Sequence, residues 1–97
     1  MITHIVFMKF KERDPQIPQL VKEKLMTLPA KIPQIKHYEV GIDVLHSERS
    51  YDVALVSKFD SLDDLKIYNV HPDHVEVLPY IRSVLEVSAA VDYESQE

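Results

Sequence analysis
The opening residues send apolar side chains to both sides of an extended chain. Between residues 2 and 10, Ile5 and Phe7 fall on one face and Val6, Met8 and Phe10 on the other. That alternation predicts a strand covered on both sides. After charged residues ending at Pro15 the period lengthens. Ile17, Leu20, Val21, Leu25 and Leu28 recur at three- and four-residue spacing, the stripe of an amphipathic helix ended by Pro29 and Pro33. Tyr38, Val40, Ile42 and Val44 then alternate with His37, Glu39 and Asp43, predicting a half-exposed strand over about residues 35 to 45. A polar turn follows, and a third strand at 51 to 59 is two-faced again, with Val53 and Leu55 opposite Ala54 and Val56.

Ser61 is suited to cap a helix, with Asp64 near its positive end and Leu62, Leu65 and Tyr68 following at three-residue spacing. Pro72 interrupts that helix, because the residue before a proline avoids helical geometry. The chain should break at His71 and resume as a short helix over 73 to 82. A last strand over 84 to 93 places Leu85, Val87, Ala89, Val91 and Tyr93 on one face, and residues 94–97 are expected to fray. One domain, 1–93, accounts for the rest.

This order is βαββαβ, an α+β ferredoxin-like fold with a four-stranded antiparallel sheet and its helices on one face. Two helical segments cover only one side of such a sheet. The apolar residues on the other side exceed what a monomer ordinarily leaves in water. The bare face should therefore meet a second copy of itself, giving a homodimer in the form of a dimeric α-β barrel.

Composition narrows the function classes. The 97 residues carry a formal charge of −5, which excludes the basic stripe that nucleic acid needs. No apolar run is long enough to cross a membrane, and Met1–Val6 lacks the charged leader of a signal peptide, so a cytoplasmic address is expected. With no cysteine, disulfides, thiolate metal sites and cysteine nucleophiles are excluded. A single glycine, Gly41, leaves no glycine-rich phosphate loop and no nucleophile elbow.

Five histidines remain as candidate chemistry. His46 lies in a polar turn and His37 on the polar side of its strand, where solvation accounts for both. His4 shares a face with Val6 and Met8. His74 lies in line with Leu78 and Ile81, and Tyr68 in line with Leu62 and Leu65. Tyr68, His71 and His74 thus bracket the helix break. An imidazole can take a proton from a carbon acid, and a phenol can donate to a carbonyl oxygen as it gains charge. The bland account has His4 satisfied in the core and His71 capping the second helical segment, with Asp73 complementing its dipole. A histidine-bound metal is disfavoured, since Pro72 keeps His71 and His74 off one helical face and no further ligand completes a set.

The combination of Met1–Phe10, Tyr51-Asp52, Phe59, Tyr68, His71-Pro72-Asp73-His74 and Val91-Asp92-Tyr93 resembles the stress-responsive A/B barrel (Dabb) family, nearly end to end. The resemblance implies a dimeric barrel of ferredoxin-like halves. It also includes a polyketide-cyclase branch, in which the residue matching His74 is the general base and that matching Tyr68 its hydrogen-bond donor. Carried over, His74 and Tyr68 become the catalytic candidates, and His4, His71, Val6 and Val53 those that hold a substrate. Val53 is a departure, because the cyclase branch has a histidine there. Some members of the family bind magnesium near the dimer interface through backbone oxygens; no other cofactor is implied. The expected role is a stress-responsive protein binding a small carbonyl or aromatic compound with no established reaction. The alternatives are a cyclase- or isomerase-like enzyme and a cofactor-free monooxygenase.

Overall fold
The computed structural model describes residues 1–96, arranged as β1 (Ile2–Phe10), α1 (Gln16–Leu25), β2 (His37–Ile42), β3 (Val53–Phe59), α2 (Leu62–Val70), α3 (Pro72–Val84) and β4 (Leu85–Glu94). The strands form one sheet in the order β2-β3-β1-β4, every neighbouring pair antiparallel. This is the ferredoxin-like architecture expected from the alternating periods, with the broken second helix resolved into α2 and α3.

Local chemistry sets the boundaries. The Asp14 carboxylate accepts the Gln16 N–H at 2.9 Å and starts α1. That helix stops at Leu25, three residues short of the expected end, and the Thr27 hydroxyl donates to the Lys24 carbonyl at 2.7 Å just beyond it. Leu28 therefore reaches the core from a turn, fully buried beside Ile32. Leu20, predicted on the buried stripe, is exposed. β2 ends at Ile42, so Val44 leaves the strand and projects into solvent at 90% exposure. The turn after it places His46 at φ 57°, with its N–H donating to Asp43 Oδ2 at 2.7 Å. Ser61 Oγ accepts the Asp64 N–H and caps α2, and His71 is extended at φ −61°, ψ 135°, as Pro72 requires.

The two faces of the sheet differ sharply. One carries Ile2, Val40, Val53, Leu55 and Phe59 into a core closed by Val21, Leu25, Leu65 and Ile81 of the helices. The other carries Ile5, Phe7, Ala54, Val56, Ala89 and Val91, and no element of this chain covers it. Phe7 is 43% exposed and Val91 52%. A register shift between Lys9 and Phe10 pairs Phe10 with Leu85, which turns Leu85 onto the helix-facing side. The alternation had grouped it with Val87, Ala89 and Val91; one inserted residue in a strand reverses the side chain's face. β4 also continues through Glu94, and the Ser95 N–H donates to the Met1 carbonyl at 2.7 Å, so pairing extends beyond the expected boundary at Tyr93. Glu97, the last residue of the expected frayed tail, lies outside the described residues.

Candidate functional site
Strand register assembles a row of four polar side chains across the helix-facing side of the sheet. Tyr38 of β2 pairs with Ser57 of β3, Ser57 with His4 of β1, and His4 with Asp92 of β4. The adjacent row, Val40, Leu55, Val6 and Ala90, carries no polar side chain. Over the polar row sits the junction of α2 and α3. Leu65 and Tyr68 are the two buried residues of α2, and Tyr68 brings its ring down onto the row.

Tyr68 is the hub of this cluster. Its ring centroid lies 4.4 Å from that of His74, 5.1 Å from Phe59, 6.2 Å from Tyr38 and 6.4 Å from His4. Its hydroxyl hydrogen-bonds to the Tyr38 hydroxyl at 2.8 Å. Burial raises the pKa of both phenols above the ordinary tyrosine value, so both stay protonated, and the pair has one proton free to donate onward.

The imidazoles are oriented by their partners. His74 Nδ1 lies 3.1 Å from the Asn69 carbonyl, which can only accept, so Nδ1 carries the proton and Nε2 the lone pair. His4 Nδ1 hydrogen-bonds to Asp92 Oδ1, which fixes the ring's orientation and turns its Nε2 edge away from the carboxylate. Burial pushes the His74 pKa down, against the Asn69 hydrogen bond that raises it; the charges of His4, Arg82 and His71 act with burial. A lowered pKa means that folded protein binds fewer protons at His74 than unfolded protein does. Its contribution to stability is therefore complete above the ordinary value of 6.5 and lost as pH falls through the depressed one. Thermal unfolding followed from neutral into mildly acidic solution should show wild type losing more stability than His74→Gln. Equal losses would place His74 in a solvated setting.

These side chains open onto a cavity of about 250 Å³ between sheet and helices. His4, Val6, Tyr68 and His74, all singled out by sequence, line it; His71 and Val53 do not. His71 Nδ1 instead accepts the Asp73 N–H at 3.1 Å and caps α3, because the extended backbone before Pro72 directs its ring to the helix end. Val53 lies two positions beyond the cavity-lining Leu55 along β3 and is packed in the core at 2% exposure. Sequence reasoning missed Asp92, Tyr38 and Asn69. Asp92 gave one faint signal, a charge alternating with Val91 and Tyr93, but its partner is 88 residues away. Among the described residues no group of three or more His, Asp or Glu side chains is arranged to hold a metal ion. No helix of the described residues is long and apolar enough to cross a membrane. The arrangement offers the His74 lone pair and one phenolic donor around an apolar hollow, suited to a polarised carbonyl group.

Comparison with known proteins agrees with the fold. The model of the Stress responsive A/B Barrel Domain, Dabb, matches residues 2–95. A dimeric protein of unknown function with a ferredoxin-like fold from Bacteroides fragilis is 38% identical; the match covers 97% of this chain and 95% of that one, at a TM-score of 0.85. A dimeric ferredoxin-like protein of unknown function from Thermobifida fusca is 33% identical over 95% of this chain and 88% of that one, at 0.84. The hydroxynitrile lyase of Passiflora edulis shares the fold at 20% identity, over 99% and 94% of the two chains and a TM-score of 0.84. No curated protein matches the chain.

Proposed function
The chain belongs to the stress-responsive A/B barrel (Dabb) family, and from that premise we propose that it forms a homodimer, each copy binding one small carbonyl or aromatic compound in the cavity between sheet and helices. The observation that carries this reading is the convergence of Tyr68, His74 and His4 on one apolar hollow. A dry cavity of about 150 Å³ admits benzene. About 250 Å³ therefore suits a ring with a few substituent atoms. Dimerisation is supported by the uncovered apolar sheet face and by the dimeric state of the Bacteroides fragilis and Thermobifida fusca relatives, each above 30% identity. A cytoplasmic, stress-linked role belongs to the same proposal, and no cofactor forms part of it.

The orientation of His74 favours a second reading, in which the bound carbonyl compound is also enolised. Nε2 would take a proton from the carbon next to the carbonyl. The oxygen would gain negative charge against the Tyr68 hydroxyl, held by Tyr38. Return of the proton from Nε2 to the opposite face of that carbon, or to another carbon of the enolate system, completes an isomerisation; attack of the enolate carbon on a second carbonyl, whose oxygen takes the proton from Nε2, completes an aldol-type closure.

Acetophenone separates the two readings. In binding measured by NMR it should perturb the Tyr68 and His74 resonances, and Leu78→Trp, which fills the cavity, should abolish the effect. In heavy water, catalysed exchange of its methyl protons that disappears in His74→Ala would support enolisation. Binding without exchange leaves a binding protein, and absence of binding overturns the proposal.

A further inference from the structure
Among the described residues that line the cavity one carries a permanent charge, and it stands at the solvent-exposed side. Arg82 lines it from the last turn of α3, while the other polar side chains there, His4, Tyr68, Asn69, His74 and Ser88, are neutral or titratable. Among the described residues no carboxylate lines the cavity. The nearest one in the sheet row, Asp92, is already engaged by His4. Among the described residues no acidic side chain pairs with Arg82, whereas a guanidinium offers a fork of donors matched to a carboxylate.

The helix also sets a distance. His74, Leu78, Ile81 and Arg82 all face the cavity from α3. Eight residues of helix separate the Cα atoms of His74 and Arg82 by about 12 Å. Helical side chains lean toward the N-terminus, which brings the guanidinium back over the Leu78 turn and closer to the imidazole. Its charge is felt at His74, where it helps to lower the pKa. The cavity is thus polar and proton-accepting at one end, apolar in the middle and cationic at the other.

We infer that the ligand is an anion, a compact apolar carbonyl compound bearing a carboxylate opposite the carbonyl, with Arg82 as the residue that selects the charge. This rests on the binding reading above and adds the ligand's charge and its orientation: carbonyl toward Tyr68 and His74, carboxylate toward Arg82. A purely structural role for Arg82 is the competing account, since a cation in the last turn complements the helix dipole without any ligand.

The test compares 4-acetylbenzoate with its uncharged methyl ester, by NMR titration of the full chain. The acid should bind at least tenfold more tightly than the ester, and the ratio should shrink at high salt. Arg82→Gln should bring the ratio close to one, chiefly through loss of affinity for the acid, and Arg82→Lys should keep part of it. Equal affinities in wild type, or a preference for the acid that survives Arg82→Gln, would overturn the inference while leaving the cavity as a binding site. Failure of both probes to bind would overturn this inference together with the binding proposal. The amide spectrum of each variant checks that the fold is kept.

Discussion

Phe7→Asp is expected to turn a dimer into a monomer. Phe7 stands at the centre of the uncovered sheet face, with Ala54 on one neighbouring strand and Ala89 on the other, and its ring tilts against Tyr51 at a centroid distance of 5.7 Å. In the proposed dimer a carboxylate there would be removed from water by the partner sheet, with no cation in the same cross-strand row. Such burial costs several kcal/mol, and each 1.4 kcal/mol weakens association about tenfold. The dimer constant should therefore weaken by roughly a thousandfold or more, read by sedimentation at micromolar concentration. Leu62→Asp is the matched control. Leu62 is just as apolar and exposed, but it begins α2 on the far side of the sheet, where an added acid also suits the helix dipole. Loss of the dimer in both variants, or in neither, would remove the sheet face as the interface.

Tyr68→Ala should produce the largest loss of stability of any single change in the site. The ring is 1% exposed and touches Phe59, Tyr38, His4 and His74, so truncation removes a core side chain and leaves a void. Aromatic-to-alanine changes in cores cost about 3–5 kcal/mol, a large part of the roughly 5–15 kcal/mol available to a domain. The Tyr38 hydroxyl would lose its partner as well. Tyr68→Phe isolates that second effect, because the ring stays and only the hydrogen bond goes, at about 1–3 kcal/mol. Urea unfolding should give a much lower midpoint for the alanine variant and a modest decrease for phenylalanine, with slopes alike. A loss below about 1 kcal/mol in Tyr68→Ala would contradict its place at the hub. The phenylalanine variant is also the one in which a change in ligand affinity can be assigned to the hydroxyl.

The difference between these variants shows why a residue such as Tyr68 is hard to classify from sequence. Its spacing from Leu65 reads equally well as core and as site, and in the structure it is a buried core residue that also lines the cavity. His71 is the opposite case. Its place in the Tyr-x-x-His-Pro-x-His element grouped it with His74, yet the extended backbone before Pro72 commits it to capping α3.

The order of elements, the break at His71 and the two-faced character of β1 and β3 were legible in the chain itself. They depend on period, on proline and on side chains within a few residues of one another. So was the placement of His4, Val6, Tyr68 and His74 on inward-facing positions. Strand registers and the faces they create belong to the tertiary structure alone. His4 meets Asp92 across 88 positions, Tyr38 meets Tyr68 across 30, and one bulge turns Leu85 toward the helices. Pairing between distant strands is decided by how whole faces pack, and shifting it by one residue exchanges those faces, so no local pattern reports it.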